Sequence, residues 1–362
     1  MPTIRILHAS DLHIAKVPNL VAVPDRVSAG ISLGNVFSRS GLKALTRTAL
    51  VSSYDPTLLL SLAEFVNDDY ESNHVQGRGA PIDAIVLTGD IATTGRAKDL
   101  ERARRFLEDP YDPGAPAQQL TAPGEGSISR VLGHDGCSCP DPVLLMLMPG
   151  NHDRLRRARL TGYSPGGTKF DHVLHKHWAS AAHLKSHGND VRELEIVKGS
   201  LRVSVIAADF NLKDRRDRQG RWWYKYAQGR VYHGRSTPRI LGNLVLATRR
   251  APAGAVVLLA THFPPRFPYI PPSMKLIDDS YLIRAANRRG VSAVLSGHTH
   301  EPVRYRAPGM DSEVLCAGTA TQHHSSPGHY FHVVEINGND LSDATITVEH
   351  YKYDKAGVFS EV

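Results

Sequence analysis

Short apolar runs bounded by turn residues recur at positions 4–7, 84–87, 143–148, 203–207, 256–260 and 293–295, and each predicts a buried strand. Between them lie stretches with helical spacing. Leu58, Leu62, Phe65 and Val66 form one apolar stripe, Leu100, Ala103, Phe106 and Leu107 a second, and Leu241, Leu244, Val245 and Thr248 a third. Strands alternating with helices predict an α/β fold. After Gly297 the pattern changes to strand upon strand, at 314–316, 330–336 and 344–351, which predicts a second sheet. No repeat or linker divides the 362 residues, so a single domain spanning 1–362 is expected, with long inserts near 16–81 and 109–142.

The polar residues gather where the apolar runs stop. LHASDLHIA places Asp11 and His13 just past the first strand; read as extended backbone, the two side chains point the same way. Alone they are a salt bridge or the first ligands of a metal. The second strand ends in TGD, with Asp90, and the third in PGNHD, with Asn151, His152 and Asp153. ATH supplies His262, and SGHTH supplies His298 and His300. Ligands of α/β sheets bind beyond the carboxyl ends of strands, and Asp, His and Asn oxygens and nitrogens suit borderline divalent metals. Seven such groups suit two ions. Gly89, Gly150 and Gly297 precede them, where a turn without a Cβ would aim the ligands inward.

D-x-H, GD, GNHD, TH and GHTH, in this order over roughly residues 4–336, resemble the calcineurin-like metallophosphoesterase superfamily. The resemblance implies a two-sheet αββα sandwich with a dinuclear centre of manganese, iron or zinc. It implies that Asp11, His13, Asp90 and His300 hold one metal and that Asp90, Asn151, His262 and His298 hold the other, with Asp90 as the bridge. His152 then contacts the substrate phosphate and assists the leaving group. Asp153 either orients His152, which would make the two a catalytic pair, or holds the loop through backbone hydrogen bonds.

GDIATTG departs from the GDxVDRG of protein Ser/Thr phosphatases, and GNHD replaces their GNHE. GDIATTGRAKDLERARRFL, AADFNLKD, QGRV and THFPP are similar instead to bacterial class III cyclic-nucleotide phosphodiesterase-like members, which implies a small phosphodiester substrate. A nuclease or phosphomonoesterase of the same superfamily is the alternative, and a metal-binding scaffold without turnover is another. About 60 residues follow GHTH, too few for the capping domain of the nuclease branch.

The remaining features change the picture little. A net charge of +7 permits nucleic acid without indicating it. DRLRRARL, with Arg154, Arg156, Arg157 and Arg159, reads as a solvated helix face or an anion-steering patch, and Arg215, Arg216, Arg218, Arg221, Trp222 and Trp223 as an exposed loop or a stacking surface. His323 and His324 have no assignable role. Three cysteines, Cys137, Cys139 and Cys316, fit no disulfide framework. With no signal-like or membrane-spanning stretch, cytoplasmic residence is expected and no membrane partner; the oligomeric state is not legible.

Overall fold

The computed structural model describes residues 1–15, 55–109, 127–133, 142–158, 162–164, 168–211, 229–231, 238–268, 275–321, 330–354 and 357–362. Two sheets pack face to face with helices outside them. The first sheet contains β1 (Thr3–Ala9), β2 (Ala84–Leu87) and β3 (Leu144–Leu147). The second contains β4 (Leu184–Ser186), β5 (Val191–Lys198), β6 (Leu201–Ala208), β7 (Val256–Ala260), β8 (Ala293–Ser296), β9 (Val303–Arg306) and β10 (Glu313–Cys316). The chain then returns to the first sheet as β11 (Tyr330–Asn337), β12 (Thr345–Tyr353) and β13 (Phe359–Glu361). Strand orders are β13-β12-β11-β1-β2-β3 and β9-β10-β8-β7-β6-β5-β4.

The α-helices among the described residues are α1 (Pro56–Asp69), α2 (Ala97–Glu108), α3 (Lys169–Val173), α4 (Pro238–Arg250) and α5 (Asp279–Arg288). The entry to α1 is legible locally: Pro56 opens it, and the Asp55 carboxylate accepts the Thr57 N–H at 2.9 Å. Its Phe65 ring lies 4.8 Å from both Phe331 and Tyr351, fixing the helix against β11 and β12. In the second sheet, period-two alternation separates two cores. Val203, Val205 and Ala207 join the core between the sheets, whereas Ile206 and Ala208 pack with Ile240 and Leu244 of α4 and Leu282 and Ile283 of α5. This is the expected αββα sandwich.

The tail departs from expectation. It does not make a sheet of its own: β10 pairs in parallel with β8, while β11 pairs antiparallel with β1. The tail hairpins, β9 with β10 and β11 with β12, each extend an existing sheet through one strand that adds to its open edge. DRLRRARL is not a helix face either, because 156–158 is a short strand and Arg154 is 1% exposed. The strands β4, β5, β9 and β13 and the helices α3 and α5 have no counterpart among the predicted elements. Among the described residues no helix is long and apolar enough to cross a membrane.

Candidate metal centre

The parallel strands β1, β2 and β3 of one sheet and β7 and β8 of the other end at the same mouth. Asp11 and His13 follow β1, Asp90 follows β2, Asn151 and His152 follow β3, His262 follows β7, and His298 and His300 follow β8. The structure thus brings together all seven expected ligands and His152. His262 Nε2 stands 2.9 Å from Asn151 Oδ1 and 3.3 Å from Asp90 Oδ2. His300 Nε2 stands 3.2 Å from Asp11 Oδ1 and 3.3 Å from His13 Nε2. Asp90 Oδ2 is also 4.0 Å from both His13 Nε2 and His152 Nε2.

Carboxylate oxygens, an amide oxygen and imidazole nitrogens crowd one another here. The Nδ1 of His262 is 2.8 Å from the Thr88 carbonyl, which can only accept, so Nδ1 carries a proton and Nε2 is the nitrogen aimed at Asn151 and Asp90. Asp11 Oδ1 and His13 Nδ1 are buried and make no hydrogen bond among the described residues. Such an array needs positive charge within it. Burial opposes ionisation of Asp11 and Asp90, yet the surrounding imidazoles hold both carboxyls below their ordinary range. Burial likewise opposes the cationic form of His262, but Asp90 lifts it to about 9; His13 and His298 are driven down by burial to about 4 and about 3. Three groupings could each hold an ion: Asp11, His13 and His300; His13, Asp90 and His152; and Asp90, His262 and His298. Oxygen and nitrogen donors of this kind fit borderline divalent metals.

The backbone achieves this aim differently from the expectation. Asp11 and His13 are not extended: their φ angles are 55° and 47°, and Asp90, His298 and His300 also have positive φ, at 51°, 69° and 58°. Left-handed backbone turns the side chains back into the mouth, where an extended strand would carry them past it. Gly89 shares this geometry, at φ 101°. Gly150 and Gly297 serve close approach instead, since a Cβ on Gly150 would overlap the Asp90 backbone nitrogen and Oδ1, and one on Gly297 would lie 2.6 Å from Asp11 Oδ2.

His152 lies at the rim. Its Nδ1 donates to the Thr93 carbonyl at 2.9 Å, which leaves Nε2 facing the cluster, and its backbone N–H donates to Asp90 Oδ1 at 2.7 Å. The Asp153 carboxylate accepts backbone N–H groups from Gly150, Ile91 and Ala92 at 2.9, 3.2 and 2.9 Å. Sequence reasoning missed the carbonyls of Thr88 and Thr93, because a backbone acceptor leaves no side-chain signature. It also missed Phe263, whose buried ring lies 5.0 Å from His262 and 4.7 Å from His298, although the THF string was in view. Residues 215–223, His323 and His324 lie outside the described residues.

A family model for calcineurin-like phosphoesterases matches residues 4–302. The chain belongs to this family. Membership makes the reading of the donor cluster as a metal centre of a phosphoester hydrolase the family's own. A search of curated protein sequences finds no match. Among solved structures, a dimetal phosphatase from Danio rerio is 13% identical, with a TM-score of 0.49 over 96% of this chain and 99% of that one. GAP50, the anchor in the inner membrane complex of Plasmodium, is 10% identical, with a TM-score of 0.44 over 99% and 88%. The sulfate thiohydrolase SoxB from Thermus thermophilus is 14% identical, with a TM-score of 0.43 over 95% of this chain and 56% of that chain.

Proposed function

We propose that the chain is a two-metal phosphodiesterase of small substrates, with a cyclic nucleotide as the representative ester. The observation that carries the reading is the convergence of seven donor residues from five strand ends, with a tautomer-fixed His152 beside them. Asp11, His13, Asp90 and His300 would hold one ion, and Asp90, Asn151, His262 and His298 the other. Manganese, iron and zinc all suit this donor set. When bound, such a pair supplies Lewis acidity toward phosphoryl oxygens and a water acidic enough to attack near neutral pH.

The chain's own residues do the rest. Thr88 and Thr93 fix the rings of His262 and His152 through their carbonyls, which hold a proton on each Nδ1 and aim each Nε2 at the cluster. His152, protonated at Nε2, donates to the departing alkoxide or stabilises its charge. Asp153 holds the loop: three backbone donors use its carboxylate, and His152 is anchored by Thr93 instead. The whole chain acts as one domain, and a free buried Cys316 fits a reducing, cytoplasmic setting.

The test is a substrate comparison after loading purified chain with manganese, zinc or iron. Cyclic AMP, bis-p-nitrophenyl phosphate, p-nitrophenyl phosphate and single-stranded DNA are compared by kcat/KM. Diesters are expected to exceed the monoester by at least about tenfold, a difference of about 1.4 kcal/mol in transition-state binding. A monoester preference would move the reading to phosphomonoesterase, preference for DNA would move it to nuclease, and metal binding without turnover would leave a scaffold.

A further inference from the structure

We infer that Asp209 and Asn211, just beyond β6, are positioning residues that set His152 by gripping the turn at 149–154 from both of its ends. The inference rests on the reading of His152 given above. At the start of the turn, the Pro149 carbonyl accepts the Asn211 side-chain N–H at 2.8 Å. At its end, the Arg154 guanidinium donates to Asp209 Oδ2 through Nη2 at 2.7 Å and Nε at 3.2 Å. One carboxylate joins these two grips, because Asp209 Oδ1 accepts from the Asn211 side chain at 2.7 Å and from its backbone N–H at 3.1 Å. The four residues between the grips include His152.

The arrangement is costly as a means of stabilising a fold. Asp209 is 0% exposed, Arg154 1% and Asn211 3%, so two full charges are held out of water. Apolar side chains of like volume would stabilise such a place as well or better. What the charges add is direction: a guanidinium fork fixes the angle of its partner as well as its distance. The fork is itself held, by Asp171 Oδ2 at 2.5 Å from Nη1 and by the Phe170 ring 5.2 Å from the guanidinium carbon. On the opposite side, Asp153 binds the turn to the Asp90 loop through Ile91 and Ala92. The turn is therefore clamped between the two sheets. His152 makes its own bonds to the Asp90 side, to the Thr93 carbonyl and Asp90 Oδ1, so without the Asp209 side the turn that carries it is tethered from one sheet only. The AADFN string supplies both Asp209 and Asn211, which gives that sequence feature a task.

The test is a double-mutant cycle on the metal-loaded full chain with cyclic AMP, whose departing alkoxide needs the His152 proton. Asp209→Asn is expected to lower kcat about 10- to 100-fold, the scale of a displaced catalytic group, with KM within about threefold and metal content by elemental analysis unchanged. In a His152→Ala background the same substitution should change kcat by less than about twofold, because the group through which it acts is gone. Asn211→Ala cuts only the Pro149 grip and leaves the Arg154–Asp209 pair, so it decides the matter if Asp209→Asn does not fold. It should show a smaller loss that also vanishes beside His152→Ala. Equal losses in the two backgrounds, or loss of metal in either variant, would overturn the inference while leaving His152 its role. Full activity of His152→Ala by itself would instead overturn the reading of His152, and the positioning inference with it.

Discussion

In the proposed assignment Asp90 serves both ions, so its neutral isostere should disturb twice what a one-ion ligand disturbs. Its Oδ2 lies 3.3 Å from His262 Nε2 on one side and 4.0 Å from His13 Nε2 on the other, and Oδ1 accepts the His152 N–H. Asp90→Asn keeps the shape and that hydrogen bond but removes the shared charge. An ion present at about 1,000 times its Kd stabilises the fold by about 4.1 kcal/mol; weakening it about 100-fold leaves about 1.4, a loss of about 2.7 kcal/mol. Both ions together give about 5.4 kcal/mol, or roughly 10 °C of metal-dependent Tm at about 2 °C per kcal/mol. His13→Asn should cost roughly half of that, about 5 °C, since it chiefly serves one ion.

The assay is calorimetry of wild type, Asp90→Asn and His13→Asn, each with and without manganese, beside elemental analysis of bound metal. The quantity compared is the metal-induced rise in Tm, which cancels any direct effect of the substitution on the apo chain. Two tightly bound ions in Asp90→Asn, or a rise no smaller than that of His13→Asn, would refute the bridge.

His152→Ala should retain both ions and lose about 100-fold or more in kcat, with a larger loss on cyclic AMP than on bis-p-nitrophenyl phosphate, because an alkoxide needs the proton and p-nitrophenolate does not; equal losses on both exclude general-acid action. Gly150→Ala should weaken metal binding while circular dichroism stays native, since the added methyl meets Asp90; wild-type affinity would show that this close approach is not required. The buried His8 and His332, with ring centroids 5.8 Å apart, should make the fold acid-sensitive. Burial pushes His8 down to about 3 and His332 well below its ordinary 6.5, so the neutral forms stabilise the fold fully above pH 6.5 and lose that contribution as pH falls toward 3. Urea denaturation should therefore show His332→Phe gaining about 2 kcal/mol relative to wild type between pH 8 and pH 5, at about 1.4 kcal/mol per pH unit; a pH-independent difference counts against the argument.

What could be read in the sequence was whatever side chains announce by type and period. Asp11, Asp90, Asn151, His262 and His298 were legible because each follows an apolar run that must stop at a sheet edge, and the sheets' parallel pairing carries those edges to one place. The tail was misread because strand-on-strand periodicity says nothing of which sheet offers an edge: β10 and β11 answer to different partners. Arg154 was misread for a similar reason. An arginine among arginines looks solvated until Asp209, 55 residues away, lies against it. The carbonyls of Thr88 and Thr93 were invisible on principle, since every residue has one and only the fold decides where it points.

The left-handed backbone at the ligand positions ties these threads together. Five non-glycine residues in that region each carry about 1–2 kcal/mol of steric cost, on the order of 5–10 kcal/mol in all. The offset comes from the ligand loops holding one another: Asp11 N donates to the Gly89 carbonyl at 3.0 Å, His13 N to that of Asp90 at 2.8 Å, and Gly297 N to that of His262 at 3.1 Å. His298 N donates to Asp11 Oδ2 at 2.8 Å, and the Thr319 hydroxyl to the Asp11 carbonyl at 2.9 Å. Each strained loop thus satisfies a polar group of another, so none can relax to a commoner conformation without orphaning a neighbour's buried N–H. The donor array is preorganised by this mutual bonding, which is why so many polar groups can be held face to face in the absence of any single rigid element that bears them all.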